Sequence, residues 1–589
     1  MLVSNKNKQS HSTINQNSRL SKVSHSTWQA TLTTLLTLFS LQVFAQTVIT
    51  VEDTRDLVTS NAPNRDTCNF TVGGGAITRA APDGICTFRR AINEATARPN
   101  ADRPITIEFN IPTSDSNYDA TLDIWEVQIN QSFALELDRI NTAETRGEVT
   151  IDGDSQPRGR SDGPKIMINT NRDNLETFGR SLEVRTPDNN FRNLGFHGGG
   201  QIILFNSGNV VENIWMGLSN DGLSLELASD ASEQATRSLA RGGIIMPNAA
   251  SDNNRILNNR IIGAAERAIR VTSGGSGNEI RGNFIGMTAD GNITTPSSGL
   301  QCLRAPNLLN GVWYGGQGIQ VTGSNNVIED NILAGLHVTQ TTNQTPAVSL
   351  EIAGTNNTIT NNQVGVTENA ELVGVCGQGL LLQGTASTVT GNSFFGTRVG
   401  FDPGDAGTEL DAAIITQSFN FGGGQSLEVR ENLIMGLDQD TDNVHAYRFG
   451  ASVPEELRRF VPAQITEFNG VNIEGSNGEP LLLGPPTDCP GCTIYIYLDD
   501  DDDRIESLTT TAFAIATADS DGNWSAVLPR ELEDGESLRT QSQTNAPNVI
   551  GNFAAGTTSR LSDVAYQPEE EELCIPIRAR NGNVALVCL

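Results

Sequence analysis

The chain has 589 residues, and its 69 acidic residues outnumber its 39 lysines and arginines, so that the formal net charge at pH 7 is −30. Such a surface repels the phosphates of nucleic acids and the headgroups of anionic lipids, which argues against both as partners. The 58 glycines and 23 prolines favour a β protein rich in turns over a helical one. Beyond residue 45 the only lysine is Lys165, which leaves few candidates for lysine-based catalysis.

The N-terminal segment predicts export from the cell. A basic, polar start is followed by an apolar stretch at 30–41 and by a small-residue cleavage pattern, Val43-Phe44-Ala45. The apolar stretch is shorter than the ~20 residues that a membrane-spanning helix needs. We therefore predict a signal peptide over residues 1–45, a secreted or cell-surface location, and a mature chain without a membrane span.

Eight cysteines, all beyond residue 45, are typical of a protein that folds in an oxidising compartment. Sequence alone does not determine their pairing. A loop at 580–582 would place Cys574 opposite Cys588 and allow a disulfide to close a hairpin. The CxxC motif at 489–492 could close on itself, be redox-active or form half of a zinc site. Proximity favours the pairs Cys68–Cys86, Cys302–Cys376, Cys489–Cys492 and Cys574–Cys588.

A repeated pattern organises the middle of the chain. It consists of an asparagine, a short apolar segment, a second asparagine, and then apolar residues followed by glycine. Clear copies begin at Asn253, Gly277, Asn325, Asn356 and Ser387, and looser copies begin at Asn189, Asn209 and Ser426. In this alignment the second asparagine falls at 193, 213, 259, 283, 331, 362, 392 and 432. Its irregular spacing favours a solenoid whose coils carry insertions of different length.

Short alternating β segments precede most copies of the repeat. An asparagine that recurs once per coil can satisfy backbone groups of the next coil, so we predict a structural ladder that includes Asn283, Asn331, Asn362 and Asn392. The alternation predicts that one set of side chains points inward and another stacks on the outer face. The inward set is Ile269, Val271, Ile319, Val321, Leu350 and Ile352, and the outward set is Arg270, Gln320, Glu351 and Leu381.

These repeats resemble those of right-handed parallel β-helix proteins, the pectate-lyase-like superfamily of folds. The segment CTFRRAINEA from Cys86 resembles the CSLREAI motif of CSLREA-domain proteins, although it departs from that motif at Thr87, Phe88 and Arg90. The segment VTIDGDSQPRG from Val149 resembles the ITIDG-x-x-QPG stretch that follows the motif in those proteins. The resemblance implies an all-β fold, with an N-terminal cap over residues 46–130 and a right-handed parallel β-helix over residues 131–450. It also implies a secreted location, but it does not identify any catalytic residue, because the function of that family is poorly defined.

The CSLREA-like segment itself predicts a short capping helix. Phe88, Ile92 and Ala95 recur at helical spacing, whereas Arg89, Arg90 and Glu94 fall on other faces. The apolar face could cover the open first coil, whose unpaired strands would otherwise seed aggregation.

A different β pattern begins in the C-terminal third. The segment EELRRFVP around Glu455 has the character of a linker, and ADSDGNWS resembles a turn-and-strand signature of bacterial Ig-like domains. We predict an Ig-like β-sandwich over residues 463–567 with Trp524 in its core, and an acidic linker with a hairpin over residues 568–589. The acidic run at 499–503 is typical of a solvated loop, with Ca²⁺ ligation as the alternative and no other cofactor expected. Its candidate ligands are Asp499, Asp501 and Asp503.

The function is predicted less sharply than the fold. The paired-carboxylate motifs of β-helix glycosidases are missing from the repeats, and no spacing links the available catalytic candidates His197, Arg270, His337 and Arg430. We therefore favour a non-catalytic, adhesin-like protein that binds an extracellular polysaccharide or other surface polymer through the row Arg270, Gln320 and Glu351. The alternative is a polysaccharide lyase or glycoside hydrolase acting in a groove of the β-helix. A groove lined by aromatic residues would favour binding, and a cleft joining arginine, histidine and carboxylates would favour catalysis.

Overall fold

The repeated segments build three long β-sheets. In the computed structural model each repeat contributes one short strand to each of the three sheets. Along the chain, the strand of the first sheet is followed by that of the third sheet and then by that of the second. Strands of successive repeats pair in parallel and in register, as at Ile280↔Ile328 in the first sheet and Ile269↔Ile319 in the second. The fold is thus a parallel β-helix, as the repeats predicted. The right-handed sense of its coils stays a prediction.

The structure describes most of the chain beyond residue 45. The described residues are 46–57, 65–71, 78–81, 83–130, 135–138, 147–170, 182–198, 200–225, 242–264, 267–272, 274–293, 303–304, 317–336, 338–340, 347–398, 412–417, 425–435, 445–450, 453–476, 489–499, 511–533, 535–550, 552–562, 574–578 and 584–588. All of them except Gln46 belong to one compact unit, Thr47–Leu589. The predicted signal peptide at 1–45 lies outside the described residues and stays a prediction.

The three sheets of the β-helix run in parallel through the coils, except that Tyr118–Asp119 is antiparallel to its neighbour. The first sheet contains Thr47–Val51, Ile105–Phe109, Val149–Asp152, Asn190–Arg192, Val210–Glu212, Arg255–Leu257, Glu279–Arg281, Val327–Glu329, Thr358–Thr360, Thr388–Thr390 and Glu428–Arg430. The second sheet contains Leu135–Leu137, Leu182–Val184, Ile202–Leu204, Gly242–Met246, Arg267–Val271, Gln317–Val321, Val348–Ile352, Gln378–Leu382, Ala412–Thr416 and His445–Phe449. The third sheet contains Tyr118–Asp119, Ile124–Gln128, Ile166–Asn169, Leu194–His197, Trp215–Met216, Arg260–Ile261, Phe284–Ile285, Ile332–Leu333, Gln363–Val364, Ser393–Phe395 and Leu433–Met435.

Short parallel pairs lie beside these sheets, and two 3₁₀ turns interrupt the early coils. The pairs are Arg65–Thr67 with Thr78–Ala80, Leu303–Arg304 with Val338–Gln340, and Val375–Cys376 with Thr397–Arg398. The 3₁₀ turns are Asn100–Asp102 and Gly153–Ser155.

Apolar side chains stacked from coil to coil form the core inside the three sheets. Because the strands pair in register, each inward position repeats at the ~4.8 Å spacing between strands. The residues predicted to point inward are almost completely buried, which confirms that prediction; they are Ile269, Val271, Ile319, Val321, Leu350 and Ile352. The outward residues Arg270, Gln320, Glu351 and Leu381 pair in register on the second sheet, also as predicted.

Asparagines form a buried ladder after the strands of the first sheet. The side-chain oxygen of Asn362 accepts hydrogen bonds from the backbone and side-chain nitrogens of Asn331, at 3.1 and 2.8 Å, and its own amide nitrogen donates to Ile328 O at 2.9 Å. The same arrangement links Asn259, Asn283, Asn331, Asn362, Asn392 and Asn432. The predicted ladder is confirmed for these residues. Each amide satisfies backbone groups that the turn between sheets would leave buried without partners.

The predicted ladder positions 193 and 213 are wrong by one residue. Asn193 and Asn213 have positive φ values, 58° and 54°, and align with Asn258 rather than with the buried Asn259. The ladder positions of those coils hold Leu194 and Ile214 instead. The looser repeats were misaligned because asparagine serves both as a ladder residue and as the residue that tolerates left-handed backbone.

A second buried ladder precedes the strands of the first sheet. It consists of Asn189, Asn209, Asn254, Asn278, Asn326, Asn357 and Ser387, and the backbone nitrogen of each member donates to the side-chain oxygen of the next. From Arg255–Leu257 to Thr388–Thr390 the two ladders therefore bracket each strand of the first sheet, which explains why these repeats carry two asparagines.

The N-terminal helix spans Phe88–Ala97. Phe88, Ile92 and Ala95 are buried, as predicted, and Thr96 Oγ1 donates to Glu136 O in the first strand of the second sheet at 2.9 Å. Its charged residues are buried as well, each in an ion pair: Arg89 with Asp56, Arg90 with Asp83, and Glu94 with Arg98. Its role as a cap stays a prediction.

The predicted boundary between cap and β-helix at residue 131 is wrong. Thr47–Val51 and Ile105–Phe109 already pair in parallel in the first sheet, and Ile124–Gln128 belongs to the third sheet. The helix Phe88–Ala97 is thus inserted between strands of the β-helix. The boundary was placed too late because these early coils lack the asparagine pattern.

The C-terminal module packs directly against the last coil. The predicted linker contains a short helix, Glu455–Arg458. Leu457 in this helix and Phe460 just after it are fully buried, so the linker assignment is wrong. Backbone nitrogen of Val429, in the last strand of the first sheet, donates to Thr558 Oγ1 at 3.0 Å, and Thr558 N donates to Leu427 O at 2.9 Å. Gln541 Nε2 donates to Val429 O at 2.7 Å. These bonds occupy a sheet edge that would otherwise be exposed.

The strands of this module form two three-stranded antiparallel sheets and a separate pair. One sheet contains Gln464–Asn469, Asn472–Ser476 and Trp524–Val527, the other contains Ala514–Thr517, Thr493–Asp499 and Ser537–Gln543, and the pair is Cys574–Arg578 with Val584–Cys588. Trp524 is 4% exposed, which confirms its predicted core position. The Ig-like assignment stays a prediction.

The described cysteines agree with the predicted pairing. Disulfides join Cys68 to Cys86 and Cys489 to Cys492. Cys376 is disulfide-bonded, while its predicted partner Cys302 lies outside the described residues. Cys574 faces Cys588 across antiparallel strands, and the bond between them stays a prediction. Among the described residues, no helix is long and apolar enough to cross a membrane.

Candidate functional site

The structure does not bring the catalytic candidates together. His197 lies in the third sheet, Arg270 in the second and Arg430 in the first, while His337 lies outside the described residues. Arg430 is paired with Glu428 at 2.7 Å and also with Glu431. The described candidates therefore do not form one catalytic constellation.

His197 faces the partly buried carboxylate of Glu126 on the outer side of the third sheet. Its Nε2 lies 3.6 Å from Glu126 Oε2, and its side chain is 2% exposed. Asn220 and Asn169 donate to Glu126 at 2.8 and 3.1 Å. Burial by itself would raise the pKa of Glu126, but His197, Asn220 and Asn169 outweigh it and lower the pKa to about 2. Glu126 is therefore ionised at neutral pH and cannot donate a proton there.

The predicted binding row on the second sheet is ordered but largely engaged within the protein. Arg270 Nε donates to Gln320 Oε1 at 3.1 Å, and Glu351 forms an ion pair with Arg267 at 2.6 Å. Gln320 is 8% exposed. Binding by this row stays a prediction.

Of the candidate Ca²⁺ ligands, only Asp499 is described, since Asp501 and Asp503 lie outside the described residues. Asp499 is the last residue of its strand, is buried, and accepts a hydrogen bond from Arg539 Nε at 2.6 Å. Its carboxylate is thus committed to an internal ion pair. Within the described ranges, no group of His, Cys, Asp or Glu could hold a metal ion.

A cleft of about 830 Å³ opens where strands of the first sheet turn into strands of the third. Its lining combines aromatic rings, amides and cations, and the residues are Asp154, Gly159, Arg160, Ser161, Gly163, Pro164, Lys165, Asn193, Asn213, Trp215, Asn258, Arg260 and Phe284.

One wall of the cleft is a row of amides supplied by successive turns. Asn193, Asn213 and Asn258 occupy the same turn in three neighbouring coils, each with a φ between 54° and 58°. Asparagine tolerates this left-handed conformation better than most residues. Asn213 Nδ2 donates to Asn193 Oδ1 at 3.3 Å, and both Asn213 and Asn258 are exposed. The repeat thus presents hydrogen-bonding groups at the strand spacing.

The floor of the cleft is a stack of planar side chains on the outer face of the third sheet. Trp215, Arg260 and Phe284 are paired in register on successive strands. The guanidinium carbon of Arg260 lies 4.3 Å from the centroid of the Phe284 ring. Trp215 also rests on the small apolar cluster Leu218, Leu225 and Ile262.

Arg160 adds a further planar group to this stack. The strand before Trp215 has Gly195 in this row, with Met167 on its other side. Gly195 has no side chain, and an added Cβ would lie 2.2 Å from Met167 Sδ. The guanidinium carbon of Arg160 lies 4.8 Å from the Trp215 ring centroid, and its Nη2 lies 3.5 Å from Met167 Sδ. Met167 therefore fills the space beside Gly195, and Arg160 lies against both Met167 and Trp215.

The three cations of the cleft differ in how they are compensated. Lys165 lies 3.7 Å from Asp154, and Arg260 pairs with Glu368 at 2.5 Å. Arg160 instead donates to the carbonyl oxygens of Pro164 and Asn220. Within the part of the chain that the structure describes, no carboxylate lies within ion-pair distance of Arg160. Burial lowers its pKa, although the charges of Asp162 and Asp221 act in the opposite direction.

Sequence reasoning named none of the residues of this stack as binding residues. The repeat alignment nevertheless contains these residues as one column, which lies one position after the asparagines of the buried ladder. That column reads Gly195, Trp215, Arg260, Phe284 and Ile332 in successive coils. The contribution of Arg160 could not be read from the repeats, because it comes from the connection that follows Gly153–Ser155.

No protein-family model matches the chain, and no curated protein matches it. Among solved structures the chain is similar to ORF18 of Geobacillus virus E2, with 13% identity, 82% of this chain and 74% of that chain covered, and a TM-score of 0.28. It is also similar to the tailspike protein of E. coli bacteriophage HK620, solved in complex with a pentasaccharide, with 9% identity, 88% of each chain covered and a TM-score of 0.28. Both similarities are too distant to place the chain in a family. The resemblance to CSLREA-domain proteins stays a prediction.

Proposed function

We propose that the chain is a secreted or cell-surface protein that binds an extracellular polysaccharide in the cleft between the first and third sheets, without catalysing a reaction. The proposal depends on one observation, the row of exposed amides beside the stack of Trp215, Arg260 and Phe284. Amides and guanidinium groups match sugar hydroxyls as donors and acceptors. Aromatic rings supply apolar surface with defined edges for the sugar ring.

The repetition of the cleft supports a polymer as the ligand. Equivalent groups recur from coil to coil at ~4.8 Å, so an extended chain can meet similar contacts along the helix axis. The openness of the wall at Asn213 and Asn258 suits a ligand that enters from the side. The cleft is a different binding site from the second-sheet row that the sequence suggested. In that row, Gln320 is buried and Glu351 is paired with Arg267.

The test is a binding measurement with paired amide variants. Asn213→Gly combined with Asn258→Gly removes two amides and retains a residue that accepts positive φ. We expect affinity for a bound polysaccharide, identified by pull-down on a panel of acidic and neutral glycans, to fall about 5- to 150-fold, since the two lost hydrogen bonds cost about 0.5–1.5 kcal/mol each. Product release from any glycan would contradict the non-catalytic part of the proposal.

The matched control is Asn325→Gly combined with Asn356→Gly. These residues are also exposed and have φ values of 58° and 57°, but they lie at the turn on the other side of the first sheet. Equal losses in both double variants would overturn the assignment of the ligand to the cleft.

A further inference from the structure

We infer that the polysaccharide is acidic and that Arg160 binds one of its carboxylates. This inference rests on the proposed binding in the cleft and names the class of ligand. It starts from Arg160, which makes no direct ion pair among the described residues although Asp162 and Asp221 lie near enough to act on its charge, in a protein whose net charge is −30. A partly buried guanidinium without a carboxylate partner is costly, and an anionic ligand would supply the missing charge.

The geometry of Arg160 leaves donors available to such a ligand. Its Nε donates to Pro164 O at 2.8 Å and its Nη1 donates to Asn220 O, which fixes the plane of the guanidinium. That plane lies over Trp215, so the group is held in one orientation. Its Nη2 also donates to Met167 Sδ at 3.5 Å, which leaves one N–H on Nη1 and one on Nη2. These two can bind a carboxylate in the two-pronged geometry that arginine favours.

The other cations of the cleft extend the site along the helix axis. Arg260 follows Trp215 on the next strand of the third sheet, and Arg160 lies over the Trp215 ring, so the two cations border the same part of the cleft. Arg260 already pairs with Glu368, and so it presents a weaker field to an anion than Arg160 does. We therefore assign the principal carboxylate to Arg160.

The negative charge of the rest of the surface favours binding of an acidic polysaccharide at Arg160 over binding elsewhere on the protein. A polyanion is repelled by a protein of net charge −30. Elsewhere in the repeats, exposed arginines face carboxylates, as Arg281 does with Glu279 at 2.9 Å. An acidic polysaccharide should consequently bind at the cleft rather than spread over the sheets.

The experiment compares oligogalacturonate or alginate with the same polymer after chemical reduction of its carboxyl groups, by calorimetric titration of the mature protein. We expect the carboxyl-reduced polymer to bind at least about tenfold more weakly. Arg160→Gln should reduce affinity for the acidic polymer by a similar factor and should leave the reduced polymer unaffected. Arg160→Lys should recover only part of the loss, because lysine retains the charge without the two-pronged geometry.

Arg281→Gln is the control, since it lowers the positive charge equally but lies outside the cleft. Thermal unfolding of each variant checks that the fold is retained. If native and reduced polymers bind equally and only the Asn213 and Asn258 variant weakens them, the role of Arg160 is overturned while the cleft remains a glycan site. If Arg281→Gln weakens binding as much as Arg160→Gln, the charge effect is general and the inference fails.

Discussion

Replacement of a single ladder asparagine should destabilise the coils around it. Asn362 is fully buried, and Asn362→Ala leaves the backbone nitrogen of Asn331 and the carbonyl oxygen of Ile328 without their side-chain partner. An unsatisfied buried group costs about 1–3 kcal/mol, so these two groups together should cost about 2–6 kcal/mol.

The neighbouring residue provides a control for this prediction. Asn361 is exposed and has a φ of 56°, so Asn361→Gly removes an amide without burying an unsatisfied group or straining the backbone. Its effect on stability should stay within about 0.5 kcal/mol.

Urea unfolding followed by circular dichroism measures the difference, and hydrogen exchange of peptides from adjacent coils locates it. Because each coil of a solenoid contacts its neighbours alone, protection should fall most in the strands Val327–Glu329 and Thr388–Thr390. Equal stabilities for Asn362→Ala and Asn361→Gly would refute the view that the ladder stabilises the β-helix.

Two further predictions concern Glu126 and the C-terminal module. The pKa of Glu126 is lowered from an ordinary value of 4.5 to about 2, so the stabilisation that ionised Glu126 contributes is present above pH ~4.5 and is lost as the pH falls toward 2. Glu126→Gln should therefore flatten the pH dependence of the unfolding midpoint between these two pH values. A pH profile unchanged by the substitution would contradict the lowered pKa. Trp524→Ala should lower the free energy of unfolding of the module by about 3–5 kcal/mol, because the ring is buried and its Nε1 donates to Ser476 O at 3.3 Å. Val527 lies on the same strand and its side chain is 67% exposed, so Val527→Ala should change the free energy of unfolding by less than about 0.5 kcal/mol. Similar losses of stability in the two variants would count against a core at Trp524.

The sequence predicted those features of the fold that repeat. Periodic asparagines and alternating apolar residues identified the parallel coils, the buried ladder from Asn259 to Asn432 and the inward positions of the second sheet. Both errors in the repeat region arose where periodicity was weak. The early coils lack asparagines, and at Asn193 and Asn213 the same residue type serves a different backbone role.

The site was harder to predict because it depends on contacts between unrelated parts of the chain. Trp215, Arg260 and Phe284 follow the repeat and could have been recognised as one outward column. Arg160 reaches that column from a connecting segment and packs on the Trp215 ring. Similarly, no local pattern showed that residues around Thr558 would meet the edge of the last coil near Val429.

The most direct test of the account is a crystal structure of the mature protein with an acidic oligosaccharide. We expect the sugar to lie in the cleft beside Trp215 and Asn213, with a carboxylate on Arg160. Electron density for the sugar on the second sheet, along Arg270, Gln320 and Glu351, would contradict the assignment of binding to the cleft.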